Sequence, residues 1–489
     1  MPPSPEEKFY ITTALPYVNA APHLGHALEF VQADVIARYH KSRGEDVFFN
    51  TGTDEHGLKI YRKAVESGRD PQVYVDEYAE KFKKFCSDLE IDYTSFIRTT
   101  GPHHEKAAQE FWRRCEKDIY KGVYGVKYCV GCELEKTDSE LVDDHCPIHP
   151  SLEIELIEEE NYFFRFSKYQ QPLLDLYEAV PDFVAPAERL KEIRNFVSAG
   201  LKDFSVSRLK SKMPWGIPVP GDEDQVIYVW FDALVNYISA LGWPENEEKF
   251  KNFWGERDNP RAIQVAGKDN LRQQSAMWQA MLMSAGLPAS RKILIHGFVL
   301  GDGGVKMSKS LGNVVDPIEI ISEFGAEALR YWLIREMPTF EDGAFSLERF
   351  KESYNANLAN GLGNFAARVL ALGGKFKSIS PADTETAVSG KIKKAEVAIR
   401  QKFAEFDIRG AIDEIWNLIA FGDGYINETK PWEGEKKKTI SSLVVLLERI
   451  SELLAPFLPE TSAKIKKCFS EDGRGNLIVS RGPALFPRI

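Results

Sequence analysis

The chain of 489 residues lacks the features of a membrane-spanning or secreted protein. It contains no run of 18 or more apolar residues, which argues against a transmembrane helix. Residues 1–8 lack the basic and apolar regions of a signal peptide. Six cysteines are too few for a disulfide framework in a chain of this length. These absences predict a cytoplasmic protein that has no membrane partner.

The chain also lacks a positive net charge, internal repeats and low-complexity tracts. Its formal net charge of −11 argues against a protein that coats nucleic acid without sequence preference. Lysine-rich runs at 391–394, 436–438 and 464–467 allow either a local basic face or ordinary solvated helix faces. Charge by itself therefore predicts no partner.

The sequence does contain a regular alternation of strand and helix patterns. This alternation predicts an α/β fold with a doubly wound, Rossmann-like parallel sheet, which binds ligands at the carboxyl ends of its strands. Closely spaced Cys, Gly, Asp and Pro residues interrupt the pattern from about 119 to 225 and indicate an insertion. From about 354 onward the pattern is mostly helical and predicts an all-α bundle. The predicted strands are 9–13, 46–50, 226–231, 262–266 and 292–295, and the predicted helices begin with 24–42 and with one from about 271.

Two short motifs, about 280 residues apart, suit the binding of phosphate. The first is His23-Leu24-Gly25-His26, which places two imidazoles at a strand-to-helix turn. Backbone N–H groups and the helix dipole favour an anion there. The second is Lys306-Met307-Ser308-Lys309-Ser310, which carries two ammonium groups behind a glycine-rich lead that allows the loop to move. In this order, the two motifs predict a nucleotide-phosphate site.

Four residues of the insertion have the spacing of a structural zinc site. Two pairs, Cys129-x2-Cys132 and Cys146-x2-His149, are separated by thirteen residues. Three thiolates and an imidazole match a closed tetrahedral site, which leaves no open position for a reactive water. We therefore expect this zinc to stabilise the fold and not to take part in catalysis. His145 is a competing ligand that spacing alone does not exclude.

These motifs lie within a longer set of matching segments, and over nearly its whole length the chain resembles the class I aminoacyl-tRNA synthetases, in particular the methionyl-tRNA synthetases. The resemblance implies ATP-dependent activation of L-methionine to methionyl-adenylate, then transfer to tRNA(Met), including the initiator tRNA. It also implies ATP with Mg²⁺ and one structural Zn²⁺. Besides the two phosphate motifs and the zinc ligands, the matching segments are 14–17, 51–57, 228–233, 267–269 and 430–432.

The resemblance assigns a role to individual residues of this chain. The catalytic residues would be His23, His26, Lys306 and Lys309. The ATP-binding residues would be Gly25, Glu29, Asp269, His296, Gly297 and Lys309. The methionine-binding residues would be Ala14, Leu15, Tyr17, Asp54, Trp230, Ala233, Tyr237 and Gln274. The anticodon-binding residues would be Asn360, Asn364, Arg368 and Trp432, and the zinc ligands Cys129, Cys132, Cys146 and His149.

The chain departs from the family pattern at one position of the methionine pocket. Many members have a histidine shortly after a Gly-Lys-Asp-Ile turn. This chain has Gly267-Lys268-Asp269-Asn270 and places Gln274 where that histidine is expected. The departure concerns the polarity of the pocket, while Asp269 still fits a role in orienting the ribose or substrate.

The resemblance also implies a domain division. Residues 1–118 and 226–305 would be the two halves of the catalytic domain, and 119–225 the connective insertion with the zinc knuckle. Residues 306–353 would carry the mobile lysine loop and the stem-contact region, and 354–489 the helical anticodon-binding domain. Because the chain ends soon after this bundle, with no appended dimerisation domain, we expect a monomer.

Three alternative functions fit the sequence less well. The valine, isoleucine and leucine enzymes of the superfamily carry a far larger editing insertion, and a cysteine-specific enzyme would place zinc thiolates at its substrate pocket. A non-catalytic tRNA-binding relative would have no reason to keep the ATP-binding groups. A small-molecule nucleotidylyltransferase would need no anticodon-binding bundle.

Overall fold

The first part of the chain alternates strands with helices, as the sequence predicts. The computed structural model describes residues 7–136, 140–305, 307, 315–434 and 436–489. Helix α1 has the predicted bounds. The elements are β1 (Lys8–Thr13), α1 (Leu24–Ser42), β2 (Asp46–Thr53), α2 (Leu58–Glu66), α3 (Pro71–Asp88), β3 (Ser95–Arg98) and α4 (Pro102–Cys115).

The insertion is built mainly from short antiparallel strands. Its strands β4 (Ile119–Cys129), β5 (Leu134–Lys136), β6 (Glu155–Phe164) and β8 (Phe204–Ser205) form one sheet. A second sheet contains β9 (Ser207–Leu209), β10 (Pro218–Val219) and β11 (Asp222–Ile227). In the sequence, α5 (Gln170–Ala179), β7 (Val184–Ala185) and α6 (Ala187–Ser198) lie between β6 and β8.

Alternation of strands and helices then resumes. This part contains α7 (Val229–Leu234), α8 (Asn236–Ser239), α9 (Glu247–Phe253), β12 (Gly255–Glu256), β13 (Asn259–Pro260) and β14 (Ile263–Gly267). A π-helical segment, Gln273–Met277, leads into α10 (Trp278–Ala285), and β15 (Lys292–His296) and β16 (Val299–Leu300) follow.

One strand prediction is wrong. The sequence predicts a strand at 226–231, but strand β11 ends at Ile227 and pairs antiparallel with β9 and β10. Val229–Leu234 is a helix instead. The aromatic, β-prone run suits a strand locally, but its Val229 and Phe231 are buried as part of a helix. This change places Trp230 and Ala233 on a helix above the sheet edge.

The central sheet confirms the predicted α/β class. Its six strands, in the order β3-β2-β1-β14-β15-β7, are all parallel. Alternate residues of β1 enter different cores: Phe9 and Ile11 pack in one cluster and Tyr10 in the other. Both faces of the sheet are therefore covered, as in doubly wound folds. The last edge strand, β7, comes from the insertion.

The C-terminal part of the chain is mostly helical, as predicted. It contains α11 (Pro317–Phe324), α12 (Ala326–Tyr331), β17 (Gly343–Ala344) and α13 (Leu347–Ser353). A π-helical segment, Tyr354–Gly363, continues into α14 (Asn364–Gly373). The bundle continues with α15 (Thr386–Ala404), α16 (Ile408–Thr429), α17 (Lys437–Leu454) and α18 (Pro459–Lys466), and ends with the hairpin β18 (Phe469–Glu471) and β19 (Leu477–Val479).

A buried arginine joins the bundle to the sheet domain. Arg330 has no exposed surface, and its guanidinium donates to Asp34 Oδ2 of α1 over 2.6 Å. The same group donates to the carbonyls of Phe457 and Leu89 at 2.9 and 3.0 Å. A buried charge is tolerated when it is paired and hydrogen-bonded in this way. The contact fixes the bundle against the helix that carries the first phosphate motif.

Two further expectations concern the membrane and the cysteines. Among the described residues, no helix is both long enough and apolar enough to cross a bilayer. All six cysteines are free thiols in the structure, in agreement with the absence of a disulfide framework.

Candidate active site

The two histidines of the first motif cap the N-terminus of α1. His23 Nδ1 accepts hydrogen bonds from the amides of Gly25 and His26 at 3.1 and 3.4 Å. His26 Nδ1 accepts from the amide of His23 at 3.3 Å, and the two rings stack with centroids 3.6 Å apart. Because each Nδ1 accepts, a neutral ring must carry its proton on Nε2. Each imidazole therefore presents an Nε2–H donor at a helix N-terminus.

Electrostatics favour these neutral rings. Desolvation lowers the pKa of His23, partly opposed by the charge of Asp269. Desolvation, followed by the charge of His23, lowers the pKa of His26 well below its ordinary value. A Cβ on Gly25 would come within 3.0 Å of the His23 ring, so glycine keeps this turn open. In their neutral form, both rings can still donate an Nε2–H group to an anion.

A second contact joins α1 to the end of β15. His296 Nε2 lies 3.1 Å from Glu29 Oε2, and His296 Nδ1 lies 2.8 Å from the carbonyl oxygen of Gly297. Burial lowers the pKa of His296, but the hydrogen bond to Glu29, the charge of Glu29 and the smaller effects of Gly297 and Asp269 together raise it by more, and the net shift is upward. Burial raises the pKa of Glu29. The pair shares a proton at the carboxyl end of the sheet, where ligands of this fold bind.

The neighbouring turns approach this edge closely. A Cβ on Gly297 would lie 2.2 Å from the backbone of Glu341, so only glycine fits there. Lys268 pairs with Asp342 at 2.7 Å, and Asp342 Oδ1 accepts from the amide of Phe298 at 2.9 Å. The expected ATP residues Gly25, Glu29, Asp269, His296 and Gly297 thus come from the carboxyl ends of β14 and β15 and the start of α1. Lys306 and Lys309, with most of the second motif, lie outside the described residues.

A buried carboxylate, that of Asp54, lies at the carboxyl end of strand β2. Asp54 follows β2, and its amide and carbonyl bond to the backbone of Pro16 and Val18 at 3.0 and 3.2 Å. Its side chain is 4% exposed, and within the described part of the chain Oδ1 has no hydrogen-bond partner. Burial, then the charges of Asp232 and Glu133, raises the pKa of Asp54 well above its ordinary value. Such an oxygen is suited to a cationic ligand.

Two tyrosines of the expected methionine-binding set lie near this carboxylate. Tyr17 forms a parallel bridge with Asp54, and Tyr237 lies near enough for the Asp54 charge to raise its pKa, although burial is the larger cause. Trp230 is half-buried, and its ring centroid lies 6.0 Å from that of Tyr228. The remaining expected members, Ala14, Leu15 and Ala233, are also half-buried. The structure thus places two tyrosines of the expected set near the buried Asp54 carboxylate, and the ring of Trp230 near that of Tyr228.

Gln274 belongs to a buried network of amides and hydroxyls. Its Nε2 donates to the hydroxyl of Tyr237, and its Oε1 accepts from Gln264 Nε2 at 3.0 Å. Gln279 Nε2 donates to the carbonyl of Gln274 at 2.9 Å and to Ser290 Oγ at 3.1 Å. The glutamine at the departing position is therefore fully bonded and holds the Tyr237 hydroxyl in one orientation.

The four knuckle residues converge as predicted. The ligand atoms of Cys129, Cys132, Cys146 and His149 lie within 4.8 Å of one another. Cys132 Sγ lies 3.4 Å from Cys146 Sγ and 3.2 Å from His149 Nδ1. Ligands of a tetrahedral zinc ion, bonded at about 2.3 Å for sulfur, would be separated by roughly 3.8 Å, so the donor set fits this metal. His145 Nδ1 lies 2.7 Å from the carbonyl oxygen of Asp143 and is not part of the cluster.

Glu133 connects the knuckle to the candidate pocket. Glu133 directly follows Cys132, is buried, and accepts from the amide of Lys59 at 3.0 Å. The hydroxyl of Tyr228 donates to the carbonyl of Glu133. Burial, then the charge of Glu133, raises the pKa of Tyr17. The insertion thus packs against both the loop after Asp54 and the segment before Trp230.

The expected anticodon residues lie on the helical bundle. Asn360 and Asn364 are exposed on the continuous helix of the π segment and α14. Arg368 bonds to Asp423 and Asn427 of α16 at 3.1 and 3.0 Å. Trp432 is 53% exposed, which rules out a core position. Exposed indole, amide and guanidinium groups are the chemistry that binds unstacked bases.

Several residues of the site are absent from the sequence-based assignment. His56, His104 and Asp232 form a buried cluster behind Asp54, and Glu133 links the knuckle to the pocket. His56 and Asp232 do lie inside the matching segments 51–57 and 228–233, which could have drawn attention to them. Glu133 and His104 have no distinctive local pattern.

The comparisons with known proteins all point to one family. The sequence profile described as tRNA synthetases class I (M) matches residues 9–153 and 136–370. A methionine–tRNA ligase of Caldanaerobacter subterraneus is 40% identical, covering 99% of this chain and 79% of that protein. One of Thermotoga maritima is 41% identical, covering 94% of this chain and 74% of that protein.

A solved structure is similar over the whole chain. It is that of Mycobacterium tuberculosis methionyl-tRNA synthetase in complex with methionyl-adenylate, which superposes with a TM-score of 0.91 at 34% sequence identity. The match covers 99% of this chain and 100% of the other. The similarity therefore includes the sheet domain, the insertion and the helical bundle together.

Proposed function

The chain belongs to the class I methionyl-tRNA synthetases, and we infer that it is a ligase that activates methionine with ATP and charges tRNA with it. Activation forms methionyl-adenylate and pyrophosphate, and transfer to the tRNA releases AMP. We assign activation to the crevice at the carboxyl ends of β1, β14 and β15, and tRNA recognition to the bundle. The observation that carries this assignment is Asp54 Oδ1, a buried carboxylate oxygen that has no hydrogen-bond partner among the described residues.

Methionine fits the slot by its charge and its side chain. We propose that the α-ammonium group bonds to the free Oδ1 of Asp54, whose charge it would stabilise. The thioether would lie against Tyr17, Trp230 and Tyr237, since sulfur–aromatic contacts contribute about 0.3–1.5 kcal/mol each. Ala14, Leu15, Ala233 and Gln274 complete the proposed slot. The fixed Tyr237 hydroxyl would give it one defined polar point.

ATP would bind across the start of α1. Attack of the methionine carboxylate on the α-phosphorus builds negative charge on that phosphate and on the departing pyrophosphate. We propose that His23 and His26 donate their Nε2–H groups to the phosphates and that the α1 N-terminus adds its dipole. The nucleoside would be held by the remaining expected residues, which are Gly25, Glu29, Asp269, His296 and Gly297. Lys306 and Lys309 are proposed to neutralise the pyrophosphate, and ATP would enter with Mg²⁺.

The knuckle residues would hold zinc. Cys129, Cys132, Cys146 and His149 fill all four positions of a tetrahedral ion, and bound zinc would therefore contribute folding energy. The knuckle would support the pocket through Glu133, which accepts a hydrogen bond from Lys59 at the start of α2, the helix that follows the Asp54 loop. We propose that the insertion supports the methionine slot from one side.

The bundle would read tRNA(Met), including the initiator tRNA. We propose that Trp432 stacks on an anticodon base and that Asn360, Asn364 and Arg368 bond to base edges. The division of the chain into five segments, a monomeric state and a cytoplasmic location remain predictions.

Pyrophosphate exchange into ATP, measured with each of the twenty amino acids, tests the proposal. We expect exchange with methionine and not with leucine, isoleucine, valine or cysteine. Exchange that depends on one of those four would assign another specificity to the slot. No exchange with any amino acid, combined with tight tRNA binding, would favour a non-catalytic tRNA-binding protein.

A further inference from the structure

A buried aspartate behind the proposed methionine slot is held by two histidines. His56 Nδ1 lies 2.7 Å from Asp232 Oδ2, and His104 Nε2 lies 2.7 Å from Asp232 Oδ1. His104 Nδ1 lies 2.9 Å from the hydroxyl oxygen of Ser239. Asp232 and His104 have no exposed surface, and His56 is 3% exposed. We call His56, Asp232 and His104 the histidine–aspartate clamp.

The distances indicate hydrogen bonds and not a metal site. Two nitrogen or oxygen ligands of one tetrahedral zinc ion would be about 3.3 Å apart, given bonds of about 2.0–2.1 Å. The clamp contacts are shorter, and an ionised carboxylate only accepts, so both imidazoles must donate to Asp232. Burial raises the pKa of Asp232, but the two histidines together lower it by more. The net shift is downward, so the carboxylate stays ionised. With its proton on Nε2, the His104 ring accepts from the Ser239 hydroxyl through Nδ1.

The clamp joins three segments that are distant in the sequence. Asp232 lies on α7 between Trp230 and Ala233, which the proposed slot uses. His56 lies two residues after Asp54, and His104 lies on α4. Because both its oxygens are occupied, Asp232 cannot turn toward a substrate ammonium group. Asp54 Oδ1, by contrast, has no hydrogen-bond partner among the described residues and stays available to that group.

We propose that the histidine–aspartate clamp positions Trp230 and Asp54 relative to each other and thereby sets the affinity for methionine. Its three members are positioning residues that act through α7 and the loop after β2. The inference rests on the methionine slot proposed above. Loss of one clamp bond should raise the KM for methionine by roughly tenfold, the effect of about 1.4 kcal/mol, and leave the KM for ATP unchanged.

The two histidines donate through different ring nitrogens, which gives a paired test. An asparagine side-chain amide occupies the place of Nδ1, and a glutamine amide the place of Nε2. His56→Asn and His104→Gln should therefore keep the donor and a methionine KM near that of the unaltered protein. His56→Gln and His104→Asn should lose it and raise this KM. His103→Gln, which alters the half-exposed neighbour of His104, is the matched control and should change neither KM.

A further pair of variants separates the clamp geometry from the buried charge. Asp232→Asn can still accept from His56, and its amide can donate to His104 if that ring moves its proton to Nδ1 and donates to Ser239. It should retain a methionine KM near normal, whereas Asp232→Ala should raise it. Equal effects of Asp232→Asn and Asp232→Ala, or of the two variants at each histidine, would overturn the proposal. So would a parallel rise of the KM for ATP.

The experiment also separates failure of the clamp from failure of the slot. Trp230→Leu is measured in the same exchange assay, and melting temperatures are recorded for all variants. If Trp230→Leu raises the methionine KM and the paired clamp variants do not differ, the slot stands and the clamp proposal fails. If Trp230→Leu has no effect on this KM, the slot itself is wrong and the clamp proposal fails with it.

Discussion

The imidazole of His296 lies 3.1 Å from the carboxylate of Glu29, two residues that are 267 positions apart in the sequence. This contact connects the end of β15 to the second turn of α1. The crevice is thus assembled from two halves of the chain that the insertion separates.

Asp54→Asn should raise the KM for methionine at least tenfold in pyrophosphate exchange, because a neutral amide replaces the partner of the ammonium group. The pH profile gives a sharper test. Burial raises the pKa of Asp54, so kcat/KM for methionine should rise with pH through a limb above the ordinary range of aspartate. The variant should lack this limb. A limb retained in Asp54→Asn would assign the titration to another group.

His26→Asn should lower the rate of exchange by roughly 10²–10³, the usual loss for one electrostatic donor in a transition state. The asparagine carbonyl can still accept from the backbone amide of His23, so the cap of α1 is retained. We therefore expect little change in the melting temperature. A full rate in His26→Asn would mean that the imidazole only caps the helix.

Cys132→Ser should remove zinc from the protein, measured as metal content per chain, and lower the melting temperature. Because Glu133 follows this ligand and bonds to the start of α2, the helix that follows the Asp54 loop, the KM for methionine should rise as well. Cys86→Ser, at a buried cysteine outside the knuckle, is the matched control for metal content. Equal zinc in both variants would contradict the assignment of the ligands.

Trp432→Ala should raise the KM for tRNA by roughly 5- to 100-fold, since stacking of a base on an aromatic ring is worth about 1–3 kcal/mol. Methionine-dependent exchange, which needs no tRNA, should stay unchanged. Val397→Ala, at another exposed apolar residue of the bundle, should alter neither measurement. Loss of exchange in Trp432→Ala would show a structural role for the indole.

Elements with a strong local pattern are the ones that the sequence predicts well. Helix α1 has the predicted bounds, because its apolar face repeats along its length and His23 provides a cap. The strand expected at 226–231 is wrong at its second half, where aromatic residues favour a strand locally but the packing requires a helix. Strand β7 has only two residues and gives no pattern, although it completes the sheet.

The same distinction holds within the site. Cys129 and His149 follow a spacing rule, and the structure brings their ligand atoms together. Gln274 is visible in the sequence as a departure, but its bond to Tyr237 depends on the fold. The pairing of Asp232 with His56 and His104 joins residues 176 and 128 positions apart, which no local pattern encodes.

The order of strands in the sheet has a consequence for synthesis of the chain on the ribosome. Strand β1 lies in the middle of the sheet and pairs on one side with β14, which begins 250 residues after β1 ends. Until β14 has emerged, that side of β1 has no partner strand. An apolar strand with an open edge is prone to pair with other chains. We expect chaperone contacts during translation to concentrate on nascent chains that end before β14.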